Sequence, residues 1–286
     1  MSGPVRTTAI EGHSDRSPSA HGSRRARRLR VASCLAPHLG WFYRSVCCHL
    51  GRHLGAPTEF RDNAEYDQLG DVDIAFVCSL AYIELPAVAA RFEPLAAPVL
   101  AGARYGGQPV YYSDVVVHER SRLRSFADLR GRSWAYNEVY SQSGYGITRY
   151  HLAQAGKSRC YFGCVMEAGT HDRAIRLVAE GRVDAAAIDS HCLETYLRLY
   201  PELARALRVI GSLGPSPVQP VLARRSLPKR AKQALGATLV GLGADPAARR
   251  AMARALVERF VHVDDQAYDP VRRMREVVAA AGLLLL

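Results

Sequence analysis

The sequence contains no run of 18 or more apolar residues, so no segment is long enough to span a bilayer as a helix. Its polar, arginine-rich N-terminus is not followed by the apolar stretch of a secretory signal, and as written the chain is expected to be cytoplasmic. Repeats and low-complexity segments are absent beyond the first residues. What is left is a globular chain of 286 residues, 48% hydrophobic, which can bury one large core or two modest ones.

The cysteines indicate neither a metal site nor a set of disulfide bonds. There are seven, an odd number, and most lie inside apolar runs, where free cysteine packs as a small hydrophobic side chain. Cys160 and Cys164 have CxxxC spacing, but no second Cys/His pair follows at the spacing of a zinc site. We therefore predict reduced thiols, no metal site and no cofactor.

Positive charge is concentrated at the N-terminus. The net charge is +11, and residues 1–30 hold seven arginines against Glu11 and Asp15, a local charge of +5. This segment has no aromatic residue on which a base could stack, so a nucleic-acid partner is not expected. Its composition predicts a disordered basic leader over residues 1–27 that is dispensable for folding.

From Arg28 onward, strand-like and helix-like stretches alternate. "RLRVASCL" predicts a buried strand, "GWFYRSVCCHLGRHLG" a helix ending at Gly55, and the alternation continues to "LRVIGSLG". The pattern after Pro228 is almost wholly helical. Alternating strands and helices predict an α/β fold with largely parallel sheets. We predict two lobes, residues 28–112 plus 208–286 and residues 113–207, with the chain crossing between them twice.

The stretch "SQSGY" places Ser141, Gln142, Ser143 and Gly144 at the start of a predicted helix. A helix N-terminus has unpaired N–H groups and a partial positive charge, so serine hydroxyls and a glycine there can complete an anion site. The alternative is that Ser143 only caps the helix. Capping needs one serine, whereas two flank Gln142.

Two further strand-to-helix junctions carry polar side chains. In "EAGTHDRAI", His171 lies in the first turn of a helix, where it is either a ligand-binding residue or a plain surface or cap residue. In "VDAAAIDSH", Asp189 ends a strand and either caps the next helix or accepts a hydrogen bond from an amine or a protonated oxygen of a ligand.

Tyrosines occur near the ends of two further strands. "YYSDVVV" places Tyr111 and Tyr112 on opposite faces of one strand, and Tyr82 lies in the helix after "DIAFVCS". Ser143, His171 and Asp189 match a hydrolase triad in residue type. No GxSxG turn surrounds either serine, however, which argues against a hydrolase.

Taken in order, "DIAFVCSLAY", "YYSDVVV", "DLRGRSWAYN", "SQSGY", "GTHDRAI" and "VDAAAIDS" resemble the phosphonate/phosphite/phosphate-binding family of ABC-transporter solute-binding proteins, over about residues 29–260. The resemblance implies a type II periplasmic-binding fold: two α/β lobes with mixed sheets and a helical C-terminal segment, closing on the ligand like a flytrap. It also implies that the anion is held by Ser141, Gln142, Ser143 and His171, and that the pocket is lined by Tyr111 or Tyr112, Tyr82 and Asp189.

The resemblance predicts binding of phosphate, phosphite or a phosphonate without turnover, either with an ABC-transporter permease as partner or as a stand-alone binder. It implies a periplasmic location, which the missing export signal leaves open. Gln219 stands where similar phosphonate binders have an acidic residue, so recognition of an amino-phosphonate is not predicted. The alternative function is a cytosolic enzyme on the same fold acting on a small anionic metabolite.

Overall fold

The computed structural model describes Gly3 and residues 28–157 and 160–286. The described residues form eleven strands: β1 (Leu29–Ser33), β2 (Thr58–Arg61), β3 (Ile74–Phe76), β4 (Phe92–Leu100), β5 (Val110–His118), β6 (Ser133–Tyr136), β7 (Cys164–Glu167), β8 (Ala185–Asp189), β9 (Leu207–Pro217), β10 (Val221–Arg224) and β11 (Val257–His262). They also form ten α-helices: α1 (Gly40–Leu54), α2 (Ser79–Glu84), α3 (Pro86–Ala89), α4 (Ile147–Gln154), α5 (His171–Ala179), α6 (Ser190–Leu199), α7 (Pro201–Ala206), α8 (Lys229–Val240), α9 (Pro246–Arg254) and α10 (Asp269–Ala280).

The strands form two sheets, each the centre of one lobe. The first has six strands in the order β11-β4-β10-β3-β1-β2, and the second has five in the order β7-β6-β8-β5-β9. Within the first sheet β1 runs parallel to β2 and β3, whereas β10 is antiparallel to its neighbours. Within the second, β6 is parallel to β7 and β8, and β5 is antiparallel to β8 and β9. Both sheets are therefore mixed rather than largely parallel.

Local sequence explains several of these elements. The alternating, β-branched "VYYSDVVVH" forms the whole of β5, and "AAAID" forms β8, which is buried throughout. Helix α1 ends because Gly55 adopts the left-handed conformation at φ 62° and donates its N–H to Gly51.

The last helix joins the two lobes. Val271, near its start, packs in a core cluster of the first lobe with Tyr268. Val278 and, just beyond the helix, Leu283 pack in a core cluster of the second lobe with Trp134. Helix α10 therefore lies against both lobes, in addition to the two connections between the sheets at residues 101–109 and 218–220.

The structure confirms the predicted two-lobed α/β fold with mixed sheets and differs from the sequence prediction in detail. The predicted helical tail contains a strand, β11, because Val257–His262 pairs with β4. Strand β9, assigned almost entirely to lobe 1 by the predicted division, pairs with β5 in the second sheet. The proposed limits of the lobes stay a prediction. The leader predicted over residues 1–27 falls, apart from Gly3, outside the described ranges. Among the described helices, none is both long and apolar enough to cross a bilayer.

Candidate functional site

A cavity of about 310 Å³ lies between the lobes. Most of its walls are formed by residues at or just after the carboxyl ends of six strands, the parallel β1, β2 and β3 of the first lobe and the parallel β6, β7 and β8 of the second. Ligands of α/β proteins bind at this end of parallel strands, where loops and helix N-termini gather. The cavity is lined by residues 34–37, 63–66, 137–138 and 169–171 and by Tyr43, Cys78, Ser141, Ser143, Asp189, His191, Cys192 and Gln219.

The serine-rich stretch forms a π turn, Gln142–Gly146, that leads into α4. Ser141 caps this turn, and its Oγ accepts the Gly144 N–H at 3.1 Å. A side chain at Gly144 would collide with Asn137, so glycine is what allows the turn to approach the loop after β6. Both serines are buried, with their Oγ atoms 3.2 Å apart.

His171 is joined to this turn. Its Nε2 lies 2.7 Å from Ser143 Oγ, and the imidazole is buried. Burial lowers the pKa of His171 below its usual value, against the opposing influence of Asp189 and Asp172. The neutral ring can therefore orient the Ser143 hydroxyl without adding a charge to the cavity.

Three helix N-termini converge on the cavity. Ser141 caps the turn that leads into α4, Thr170 caps α5 through the Arg173 N–H, and Asp189 caps α6 through the N–H groups of His191 and Cys192. Each N-terminus contributes partial positive charge, and three of them aimed at one space favour an anion there.

The side chain of Asp189 is occupied by donors from its own chain. Oδ1 accepts the backbone N–H of His191 at 2.8 Å and that of Cys192 at 3.1 Å. Oδ2 accepts the side-chain amide of Gln219 at 2.6 Å. The carboxylate is therefore satisfied by two N–H groups of α6 and by one side chain from the segment that joins the two sheets.

Acidic side chains line another part of the cavity. Tyr66 Oη donates to Glu138 Oε1 at 2.7 Å, a hydrogen bond that joins the first lobe to the second. Burial raises the pKa of Glu138, as do Glu167 and Glu65, whereas the bond from Tyr66 lowers it. Among the described residues that line the cavity, none is an arginine or a lysine. An anion bound here would be held by neutral donors.

Several buried polar atoms around the cavity have no hydrogen-bond partner among the described residues. Asn137 Oδ1 is one such acceptor, and His171 Nδ1 is unpartnered on the ring whose other nitrogen contacts Ser143. Both residues line the cavity. Because buried polar groups are nearly always paired, these two atoms are exceptions beside the cavity.

The chain matches the family model described as "ABC transporter, phosphonate, periplasmic substrate-binding protein" over residues 43–268. It belongs to this family of phosphonate-binding proteins. This assignment confirms the predicted family and the predicted function as a solute-binding protein for a small oxyanion.

Solved structures of other binding proteins share the fold of this phosphonate-binding family member. A binding-protein component of an ABC phosphonate transporter from Pseudomonas aeruginosa superposes with a TM-score of 0.78 at 21% identity, over 90% of this chain and 88% of that one. PhnD1 from Prochlorococcus marinus in complex with methylphosphonate gives 0.74 at 17% identity, over 88% and 98%. The periplasmic aliphatic sulphonate binding protein SsuA from Escherichia coli gives 0.63 at 15% identity, over 91% and 94%.

The structure brings together four of the eight residues predicted for the site. Ser141, Ser143, His171 and Asp189 all line the cavity. They do not form a hydrolase triad, because Asp189 bonds to Gln219 and to backbone N–H groups, while His171 Nδ1 is unpartnered.

The other four predicted residues do not line the cavity. The side chain of Gln142 points to Ser216 and Met274, and its backbone N–H donates to Cys78 Sγ. Tyr82 Oη donates to Asp265 at 2.5 Å. The guanidinium carbon of Arg104 lies over the ring of Tyr112, 4.9 Å from the ring centre. These three side chains are held elsewhere by their own partners.

Tyr111, the fourth, is fully buried next to the site. Burial raises its pKa well above the usual value, and the Ser143 hydroxyl is close enough to oppose this rise. Even so, Tyr111 Oη has no partner with hydrogen-bond geometry among the described residues. Tyr111 is therefore near Ser143 but is not part of the cavity lining.

Sequence reasoning missed most of the first lobe's contribution to the cavity. Tyr43, Glu65 and Tyr66 come from α1 and from the loop after β2, and Glu138 precedes the serine-rich turn. The signal that indicated the other site residues, a polar residue just after a strand, also applies to Glu65 and Glu138. For Glu65 this signal is hidden, because β2 is too short to be recognised from its sequence. Cys34, Cys78 and Cys192 also line the cavity, yet no group of three or more His, Cys, Asp or Glu in the described ranges is placed to hold a metal ion.

Proposed function

We propose that the chain binds a small phosphorus oxyanion (phosphate, phosphite or an alkylphosphonate) in the cavity between its lobes, with Ser141, Ser143 and His171 as the anion-binding side chains. The observation that carries the proposal is the convergence of three helix N-termini and these neutral donors on one cavity. Neutral hydrogen bonds and helix N-termini suit a small anion that must be released again for transport.

A protonated oxyanion fits the lining better than a fully ionised one. The wall includes the unpartnered acceptor Asn137 Oδ1 and the carboxyl group of Glu138, and either can accept a P–OH proton. Sulfate has no such proton at neutral pH and would leave these acceptors facing its own oxygens. The expected order is therefore methylphosphonate or phosphite ahead of sulfate.

We propose that the protein releases its ligand unchanged and delivers it to the permease of an ABC transporter. Support comes from the family, whose members are transport components, and from the lack of a nucleophile–base–acid chain among the residues described in the cavity. The competing function, an enzyme on the same fold, predicts that the bound compound is converted.

A titration calorimetry series with methylphosphonate, phosphite, phosphate and sulfate tests the ligand class. Binding of at least one phosphorus oxyanion, with sulfate weaker by about tenfold or more, supports the proposal, since one lost hydrogen bond to a charged group corresponds to about that factor. Equal affinity for sulfate, or no binding of any of them, contradicts it. Phosphorus NMR of the compound recovered from the complex separates binder from enzyme.

A further inference from the structure

His38 reaches from the first lobe into the second. It lies in the 3₁₀ turn Pro37–Leu39 between β1 and α1, and only 5% of its side chain is exposed. Its Nδ1 lies 2.9 Å from Asp172 Oδ1, and its Nε2 lies 2.9 Å from Thr195 Oγ1. Asp172 belongs to α5 and Thr195 to α6, so both partners are in the opposite lobe.

The contacts of His38 tie it to two helices of the second lobe. The Asp172 carboxylate has no proton to give, so it accepts from Nδ1–H of His38. Nε2 of the same ring contacts Thr195 Oγ1, which also lies 2.7 Å from the His191 carbonyl oxygen and 3.2 Å from that of Cys192. Thr195 is therefore itself fixed to the backbone of α6.

We propose that His38 is a positioning residue for ligand binding, which holds the closed cleft through its two hydrogen bonds to Asp172 and Thr195. We call this pair of bonds the His38 clasp. Asp172 directly follows His171, and Thr195 lies on the helix that Asp189 caps. The clasp therefore fixes two of the three helix N-termini against the first lobe. This inference rests on the proposed function, since it concerns closure around that ligand.

The surroundings of His38 leave it as the partner of Asp172. The titratable and charged side chains that face it from the helices packed around it are Asp172 on α5, Tyr196 and Arg198 on α6, Arg254 on α9, and His171 and His191 at the cavity. Arg198 pairs with Glu194, and Arg254 lies over the ring of Trp41. Among the described residues, His38 is the side chain within ion-pair distance of Asp172. Burial lowers the pKa of His171 and of His191, and His38 lowers it further.

The clasp makes closure depend on His38. Opening the cleft separates His38 from both partners, so the two hydrogen bonds stabilise the closed form and not the open form. A ligand that binds the closed form more tightly therefore gains affinity from the clasp and loses it when the clasp is removed.

The experiment is titration calorimetry with methylphosphonate on the wild type, His38→Gln and the control His53→Gln. His53 is exposed on α1, outside the cavity lining. We expect His38→Gln to bind about tenfold more weakly than the wild type, and His53→Gln to bind as the wild type does.

Wild-type affinity in His38→Gln would overturn the clasp. A second variant, Thr195→Val, removes the hydroxyl and keeps the shape, and it should reproduce part of the loss. If methylphosphonate binds none of the proteins, the proposed function fails, and the clasp is then tested without ligand. Solution scattering should give a larger radius of gyration for ligand-free His38→Gln than for the ligand-free wild type, and equal radii would refute the clasp.

Discussion

Gln219 and Asp189 are joined by a hydrogen bond of 2.6 Å between the Gln219 amide and Asp189 Oδ2. Gln219 lies in the segment that connects the two sheets, and Asp189 caps α6 in the second lobe. The bond therefore ties the connection between the lobes to a helix N-terminus in the cavity. Because Gln219 already donates to the carboxylate, a cationic ligand group would have to displace it.

Replacing Gln219 by Glu should destabilise the protein at neutral pH, because it places a second carboxylate against Asp189. The variant loses a hydrogen bond to a charged group, worth about 1.5–3 kcal/mol, and adds repulsion between like charges. The two carboxyl groups can share a proton, which raises the pKa of the pair, so the loss should shrink as pH falls. Thermal unfolding against pH measures this effect.

Gln219→Leu is the matched control, since it removes the same hydrogen bond without adding charge. Its deficit should be independent of pH over the range in which that of Gln219→Glu changes. Identical pH profiles for the two variants would show that the carboxylate of Asp189 does not face residue 219.

Ser143→Ala and His171→Gln should each weaken methylphosphonate binding while leaving the fold intact. Both side chains line the cavity, and a hydrogen bond to a charged group is worth about 1.5–3 kcal/mol, or about 10- to 150-fold in affinity. Calorimetry measures the affinity and circular dichroism checks the fold. Ser226→Ala, on an exposed serine outside the cavity lining, is the control. Wild-type affinity in both site variants would remove these residues from the site.

Glu138→Gln should raise the melting temperature at alkaline pH and leave it unchanged at acid pH. Burial raises the pKa of Glu138, so the folded protein favours the protonated carboxyl group. The stability that this group contributes is complete below the ordinary range of a glutamate and is lost as pH rises through the raised pKa. Glutamine imitates the protonated form and keeps its oxygen for Tyr66, so the variant does not suffer this loss.

The measurement is thermal unfolding from about pH 4 to 8, compared with Glu276→Gln on the exposed side of α10. A Glu138→Gln variant that is less stable than the wild type at alkaline pH would mean that the ionised carboxylate is needed by Tyr66.

Ligand binding should close the lobes. The cavity is lined from both lobes, so a ligand that contacts both binds the closed form more tightly, and only that difference can drive closure. Methylphosphonate should reduce the radius of gyration in solution scattering. It should also slow hydrogen exchange in the connections at residues 101–109 and 218–220. A ligand that raises the melting temperature and changes neither measurement would place the site within one lobe.

Much of the fold could be predicted because its elements are local. The alternation in "VYYSDVVVH" delimits β5 to the residue, and Gly55 marks the end of α1. Strand β11 could not be found in this way, because its buried Val257 and Phe260 have a spacing that also suits a helix. This segment is a strand because it pairs with β4, which is distant in the sequence.

The same distinction between local patterns and contacts distant in sequence applies to the site. Ser141, Ser143, His171 and Asp189 all lie at junctions between a strand and a helix, a pattern visible in the sequence. Tyr66 reaches the cavity only because β2 and β6 belong to facing lobes, and no local pattern reports that. Residues whose role depends on the approach of two lobes, such as His38 with Asp172, become visible only in the folded chain.

The position of helix α10 has a consequence for how the molecule is made. The strands of the second lobe are all complete by Pro217, but Val278 and Leu283 belong to the same core cluster as Trp134. This lobe therefore remains short of part of its core until β10, β11 and three further helices have been synthesised. Contacts so far apart in sequence require the closure of a long loop and slow the folding step that forms them. The core of the second lobe is therefore complete only after the last strands of the first lobe have been made, so the two lobes acquire their final stability together.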